Sequence, residues 1–301
     1  MNIINIILAV VLAPMFMGIV NQTKAFFAGR KGPGIFRLYF DLLKLLKKSR
    51  SIPQNSSWIF NLAQIIVLAS TIVATMLFPW PNSASSILVT AAPAALFFYV
   101  LGLGRIFTTL AALDAGSAFE GMGASREVQF SSFIDPIVFI TLGFLTLLTK
   151  DTSLAGILSG TSSSSWLENA VPIVLATLAF FAIFLSENTR DPFDDPETHL
   201  ELTMIHEAML LDTSGTDLAF ALYSAALKFE LTGAFLILMF LPSCDSQLLR
   251  LLFLFSGLII LSIAVGIVES TMARMRFLKS PLALIGAALI AALAVFLLIY
   301  T

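Results

Sequence analysis

Oily stretches of membrane-spanning length recur along this chain, separated by polar connections of very unequal size. Eight such stretches cover roughly residues 3–20, 58–78, 87–113, 133–149, 169–186, 218–241, 248–269 and 281–300. A helix needs about 20 apolar residues to cross a hydrocarbon core of about 30 Å, and a soluble core could not bury so many runs of that length. The pattern predicts an all-α polytopic membrane protein of about eight transmembrane helices, a single integral membrane domain over residues 1–301. Residues 1–20 lack a basic leader and a small-residue cleavage site, so they read as the first span rather than a signal peptide. Trp58, Trp80, Trp166 and Tyr300 fall near predicted span ends, where amphipathic rings prefer to lie.

The connections carry their own patterns. In the first, GRKGPG supplies a turn and residues 35–49 alternate at helical spacing. Ile35, Leu38, Leu42, Leu45 and Leu46 share one face, while Arg37, Asp41, Lys44 and Lys48 share another. Residues 29–50 are therefore expected to form a cytoplasmic amphipathic helix, lying on anionic lipid or offering a docking surface to a cytoplasmic partner. The connection LDAGSAFEGMGASRE, residues 113–127, is too glycine-rich to be expected as a continuous helix, and it carries Asp114, Glu120, Arg126 and Glu127 on backbone that is either buried in protein or lines a cavity. TSLAGILSGTSSSS, residues 152–165, reads as a plain flexible loop.

Composition sharpens this picture mainly by exclusion. The chain is 58% hydrophobic and 12% charged, far from globular norms. One cysteine, Cys244, allows no internal disulfide and no Cys-ligated zinc or iron–sulfur site. No phosphate loop, nucleotide fingerprint or serine triad is present, and a net charge of -2 offers nothing to nucleic acid. No tightly spaced metal-ligand motif stands out, so no metal is assigned.

The positive charges set an orientation. Lys24, Arg30, Lys31, Arg37, Lys44, Lys47, Lys48 and Arg50 lie in the first connection, and Arg274, Arg276 and Lys279 in the last. With eight spans both connections face one side, together with Arg126 and Arg190, against only Lys150 and Arg250 opposite. The positive-inside rule then puts both termini outside and the long acidic connection on the cytoplasmic side.

Ionisable groups within the spans are costly and so are functional candidates. They are Arg105, Asp135, Glu187, Lys228, Glu230 and Glu269. Lys228 and Glu230, two residues apart, point in different directions and each needs a partner elsewhere. Two readings fit: ion pairs between helices, or a buried polar file that passes protons.

The acidic connection, residues 187–217, holds nine of the nineteen carboxylates and both histidines. Pro192 and Pro196 make its first part a turn-rich loop, and residues 198–211 return to helical spacing. His199 and His206, seven apart, fall near one helix face beside Glu201 and Glu207. A histidine–carboxylate proton relay, local hydrogen bonding and a metal site are the open readings, the last without any tight ligand motif.

Four segments now carry a family resemblance: GRKGPGIFRLYFDLLKLLKK (29–48), LDAGSAFEGMGASRE (113–127), ENTRDPFD (187–194) and ESTMARMRF (269–277). In this order the chain resembles the membrane anchor subunit of energy-converting nickel–iron hydrogenases, of the formate hydrogenlyase subunit 4 type. That subunit is related to the quinone-site membrane subunit of respiratory complex I. The resemblance implies a non-catalytic subunit of an oxidoreductase complex, with no cofactor of its own, in a bacterial or archaeal cytoplasmic (inner) membrane. It anchors hydrogenase-like large and small subunits and an iron–sulfur subunit on the cytoplasmic side, and lies beside antiporter-like membrane subunits.

By that analogy Glu187, Asp194, Glu197, Glu201 and Asp212 form an acidic cavity beneath the redox arm, and Lys228, Glu230 and Glu269 carry charge onward. With His199, His206 and Glu207 these are the proton-path candidates. Arg30, Arg37, Lys44, Arg126, Arg274 and Arg276 are the partner-docking candidates. The chain departs from the pattern in reading DTSG at 212–215, with Asp212 and Thr213 where relatives commonly carry Glu and Tyr. The alternative is a quinone-binding subunit with the headgroup in the same cavity. A stand-alone transporter is disfavoured because no inverted repeat is visible.

Overall fold

The computed structural model describes residues 2–53, 56–81, 92–160, 163–194, 205–240, 246–273, 275 and 279–300, with backbone alone for 2–4, 163–165 and 247–248. Twelve helices follow one another in the described residues: α1 (Asn2–Phe27), α2 (Arg37–Leu46), α3 (Trp58–Leu77), α4 (Ala94–Ala115), α5 (Ala118–Thr149), α6 (Leu154–Ser159), α7 (Ser163–Glu168), α8 (Ala170–Glu187), α9 (His206–Met209), α10 (Gly215–Phe240), α11 (Gln247–Thr271) and α12 (Ser280–Tyr300). Eight of them, α1, α3, α4, α5, α8, α10, α11 and α12, are long and apolar enough to cross a membrane. The all-α, eight-span expectation holds.

The bundle is built around α10. Its apolar window is 78% buried, against 22–44% for the other seven spans. It packs on α1, α2, α3, α8 and α11, while α12 rests on α5 and α8. In the apolar half, Phe235 of α10 meets Phe98 of α4 at 5.1 Å edge-on and Phe180 of α8 at 4.9 Å. Such pairs, with the surrounding aliphatic groups, fix the register of three helices.

Two expectations are overturned. Residues 118–127 are helical, not irregular: α4 stops at Gly116, whose φ of +72° only glycine adopts without cost, and Ser117 caps α5 by accepting from the Glu120 N–H at 3.3 Å. A Cβ on Gly123 would lie 2.8 Å from the Ile205 carbonyl oxygen and 2.9 Å from the Ala208 Cβ. The glycines therefore serve close approach of α9 to a continuous helix rather than a break. The stretch 152–165 is likewise no plain loop. It contains α6 and part of α7, with Ser153 capping α6 (3.0 Å from the Gly156 N–H) and Leu154, Ile157 and Leu158 buried.

The helix expected over 198–211 falls largely outside the described residues. Where it is described, it is a single turn, α9. At α2 the apolar positions form two rows rather than one. Leu38, Leu42 and Leu45 are half-buried against the bundle, whereas Phe36, Phe40, Leu43 and Leu46 are 48–61% exposed. Tyr39 donates to the Val11 carbonyl, tying α2 to α1.

Candidate functional site

α8 ends on a carboxylate, and the site grows from it. One oxygen of Glu187 lies 2.9 Å from Lys228 Nζ on α10. The other accepts from Arg105 Nη1 on α4 at 2.9 Å. The second guanidinium nitrogen of Arg105 reaches Asp135 on α5 at 2.5 Å. Four spans are thus stitched at one level by two cations and two carboxylates. A third carboxylate, Glu127 of α5, stands in the field of Arg105, Glu187 and Lys228.

Two cavities meet at this group. The larger, about 270 Å³, lies among α1, α3, α4, α10 and the loop after α8. The smaller, about 250 Å³, lies among α4, α5 and α8. Leu101, Arg105, Glu127 and Glu187 line both, so the charged group is the wall between them. On another wall of the larger cavity Gln64 of α3 is 2% exposed, and among the described residues neither its amide nitrogen nor its oxygen has a hydrogen-bond partner.

His206 opens α9 on the rim of the larger cavity, and its backbone N–H donates to Asp194 at 3.1 Å. Burial, reinforced by the neighbouring Lys228 charge, lowers the imidazole pKa to about 4, and Glu187 opposes this only in part. The ring is therefore neutral at pH 7 and can accept a proton or donate one. The Asp212 N–H donates to Glu120 at 2.9 Å, which joins the end of the acidic connection to the first turn of α5. Glu120 is fully buried, and among the described residues its second oxygen has no hydrogen-bond partner.

Beyond the wall, a second charged group locks the loop. Arg190 Nη1 donates to Glu269 of α11 at 3.2 Å, and Lys24 of α1 meets the other Glu269 oxygen at 3.1 Å. The guanidinium also sits 5.5 Å over the Phe229 ring and touches the Met17 sulfur. A third pair, Arg50 with Asp217 at 2.5 Å, ties the connection after α2 to the start of α10.

Glu230 stands apart. It is 1% exposed, and neither oxygen has a hydrogen-bond partner among the described residues. Tyr39 and Tyr223 are within its electrostatic reach, and each phenol donates to a carbonyl of α1.

Of the sequence-derived path residues, Glu187, Lys228, His206 and Glu207 gather at the larger cavity, with Asp194 bonded to the backbone of His206. Asp212 is exposed, Glu269 is held in the lock, and Glu230 has no hydrogen-bond partner among the described residues. Glu197, Glu201 and His199 lie outside the described residues, as do the docking candidates Arg274 and Arg276. Arg30, Arg37 and Lys44 are exposed, the last two flanking Asp41 at 3.3 and 3.7 Å, and Arg126 is half-buried. Among the described residues no group of three or more His, Cys, Asp or Glu could hold a metal ion.

Sequence reasoning left Glu120 and Glu127 out of the path. Their signal was present: Glu120, Glu127 and Asp135 stand at i, i+7 and i+15, one side of a helix, once the stretch is recognised as helical.

A family model described as NADH dehydrogenase matches residues 1–300. The chain belongs to the NADH dehydrogenase family. Within curated proteins it is 33% identical to Hydrogenase-4 component C of Escherichia coli (strain K12) over 286 residues, 90% of this chain and 87% of that one. It is 26% identical to Formate hydrogenlyase subunit 4 of the same strain, covering 89% and 88%. An NADH-quinone oxidoreductase subunit of Bacillus cytotoxicus (strain DSM 22905 / CIP 110041 / 391-98 / NVH 391-98) is 30% identical over 65% of this chain and 61% of its own. The resemblance drawn from the four motifs is therefore borne out at the level of the family. A solved chain from the membrane-bound sulfane sulfur reductase, an archaeal respiratory membrane complex, superposes with a TM-score of 0.86. It covers 99% of this chain and 98% of its own at 20% identity, a likeness of fold. With eight helices long and apolar enough to cross a membrane, this chain is a multi-pass membrane protein.

Proposed function

We propose that this chain is the integral membrane subunit of a complex I-like, membrane-bound hydrogenase assembly of the formate hydrogenlyase type. It anchors a peripheral redox arm and couples that arm's electron transfer to proton or sodium translocation. The observation that carries this reading is the shared wall between two cavities, where Glu187 is held by two cations and Glu127 adds a third carboxylate to the group. The relatives named as a hydrogenase-4 component and a formate hydrogenlyase subunit support the choice of assembly.

The group contains Arg105 and Lys228 against Glu187, Asp135 and Glu127, so one carboxylate is in excess. In a low-dielectric site such an excess is relieved by taking up a proton. A change of charge in a redox arm seated over the larger cavity shifts that balance. The released proton then has the neutral imidazole of His206 on one side and the smaller cavity on the other. The loop that follows Glu187 is clamped by the Arg190–Glu269–Lys24 lock, which keeps the wall in place while its protonation changes. The arm binds on the cytoplasmic face through the basic first and last connections, and both termini face outward across a bacterial or archaeal cytoplasmic membrane. Hydrogenase-like large and small subunits, an iron–sulfur subunit and antiporter-like membrane subunits are the partners.

A second reading has one observation in its favour. The Gln64 amide, without a hydrogen-bond partner among the described residues, lines the larger cavity and suits a polar headgroup such as that of a quinone, and a relative is named as part of a quinone oxidoreductase. Mild-detergent purification from native membrane, with mass spectrometry and quinone extraction, separates the two. Hydrogenase-like subunits with antiporter-like partners uphold the first, a quinone-reducing arm with stoichiometric quinone upholds the second, and a chain that purifies alone overturns both.

A further inference from the structure

Asp135 belongs to the apolar run 133–149, yet 51% of its side chain is uncovered. Around it on α4 and α5, Tyr99, Ile106, Val128 and Phe139 are 41–63% exposed, with the Tyr99 and Phe139 rings 5.5 Å apart. These same residues border the smaller cavity, so that cavity opens sideways through this face. Pro136 adds a second acceptor, because without an N–H it leaves the carbonyl of Ser132 without its helical partner one turn back. The patch thus presents a carboxylate and a carbonyl, and hydrocarbon satisfies neither.

Arg105 does not cancel this demand. Its guanidinium is shared with Glu187, and the surrounding group keeps its excess carboxylate. The acceptor-only chemistry of the patch calls for a donor, and its position within an apolar run calls for that donor to arrive on an apolar helix.

We propose that the α4–α5 face around Asp135 is the docking surface for a transmembrane helix of a neighbouring subunit that carries a lysine or arginine at the depth of Asp135. The inference rests on the assembly proposed above and adds where the membrane neighbour sits. The partner cation draws Asp135 away from Arg105, which lets Arg105 bind Glu187 more fully. Docking and the charge balance of the wall are thereby linked.

The test uses the whole complex in mild detergent, in a chain with Cys244 replaced by Ser. Val128→Cys and Tyr99→Cys are reacted with a membrane-permeant maleimide in the complex and in the subunit stripped of its membrane neighbours. Both should label about tenfold or more slower in the complex, as a packed helix interface demands. Val128→Trp, which adds bulk to the face without touching a charge, should lower recovery of one membrane neighbour by about tenfold, the scale of an interface hot spot. Asp135→Asn should weaken it less. Equal labelling in both preparations, with the redox arm still attached, overturns the docking surface and leaves the anchoring reading intact. Protection that persists in the stripped subunit and disappears on delipidation assigns the face to a lipid headgroup and overturns the proposal. A chain that recovers no partner of any kind fails both.

Discussion

Glu187 and Lys228 stand 2.9 Å apart, the last residue of α8 against the middle of α10. The link is as much mechanical as electrostatic, because it closes a chain of charges through Arg105 to Asp135 across four helices. Such pairs contribute little net stability while complete, but removing one member strands the other in a poorly hydrated site.

Breaking this pair therefore costs more than the pair is worth. Glu187→Gln and Lys228→Met are each expected to destabilise the chain by about 3 kcal/mol, the low end for a partly covered buried pair. The double variant should fall short of their sum by roughly 1–3 kcal/mol. Thermal unfolding of all four proteins in one detergent gives the coupling directly. Additive losses would mean that the two groups do not sense each other.

Glu230 offers a cleaner separation of stability from transport. Its carboxyl is buried and bonded to nothing among the described residues, so the fold gains nothing from it. Glu230→Leu should raise stability by about 1–3 kcal/mol through removal of an unsatisfied polar group. Ion translocation should fall by about a hundredfold, the usual contribution of a positioned proton carrier. Redox turnover of the peripheral arm should change little. A more stable protein that pumps normally would remove Glu230 from the path.

His206 predicts a pH signature. Its folded pKa of about 4 lies below the 6.5 of an exposed histidine, so the unfolded chain binds the proton more readily. The stability contributed by the neutral ring is present above pH 6.5 and is lost as pH falls toward 4. The ring is only partly covered, so the loss is on the order of 1–2 kcal/mol rather than the full conversion. His206→Gln should therefore melt close to the parent at pH 7.5 and above it at pH 4.5. Parallel melting curves across that range would place the ring in bulk water.

The Arg190–Glu269–Lys24 lock is expected to act structurally. Glu269→Gln leaves two cations facing an amide, and Arg190 has only 6% of its side chain exposed. A loss of about 3–5 kcal/mol follows from stranding a buried charge. Limited proteolysis of the loop after α8 should accelerate in step with that loss. A variant of parental stability that fails only in translocation would move Glu269 from the lock to the path.

How much of this was legible before folding differs by element. The apolar runs announced eight spans because a hydrocarbon core leaves each helix to satisfy its own backbone. The in-span charges Arg105, Asp135, Glu187 and Lys228 were visible as costly exceptions. Their pairing was not, since it joins α4, α5, α8 and α10 from four separate parts of the chain. The glycines of 113–127 misled for a local reason: Gly123 reads as a helix breaker, but its missing Cβ is needed where α9 presses on α5.

The same division runs through the site. Chain chemistry alone dictates that carboxylates crowd into residues 187–217 and that their neighbours cannot leave the membrane, because transfer free energies act residue by residue. Whether a given carboxylate is locked, shared or solitary depends on which helix faces it. Glu269 meets Arg190 and Lys24, Glu187 is divided between Arg105 and Lys228, and Glu230 has no hydrogen-bond partner among the described residues. Those outcomes follow from the rotation and depth of packed helices. Side-chain interdigitation around α10 sets both, and no spacing along one segment encodes them.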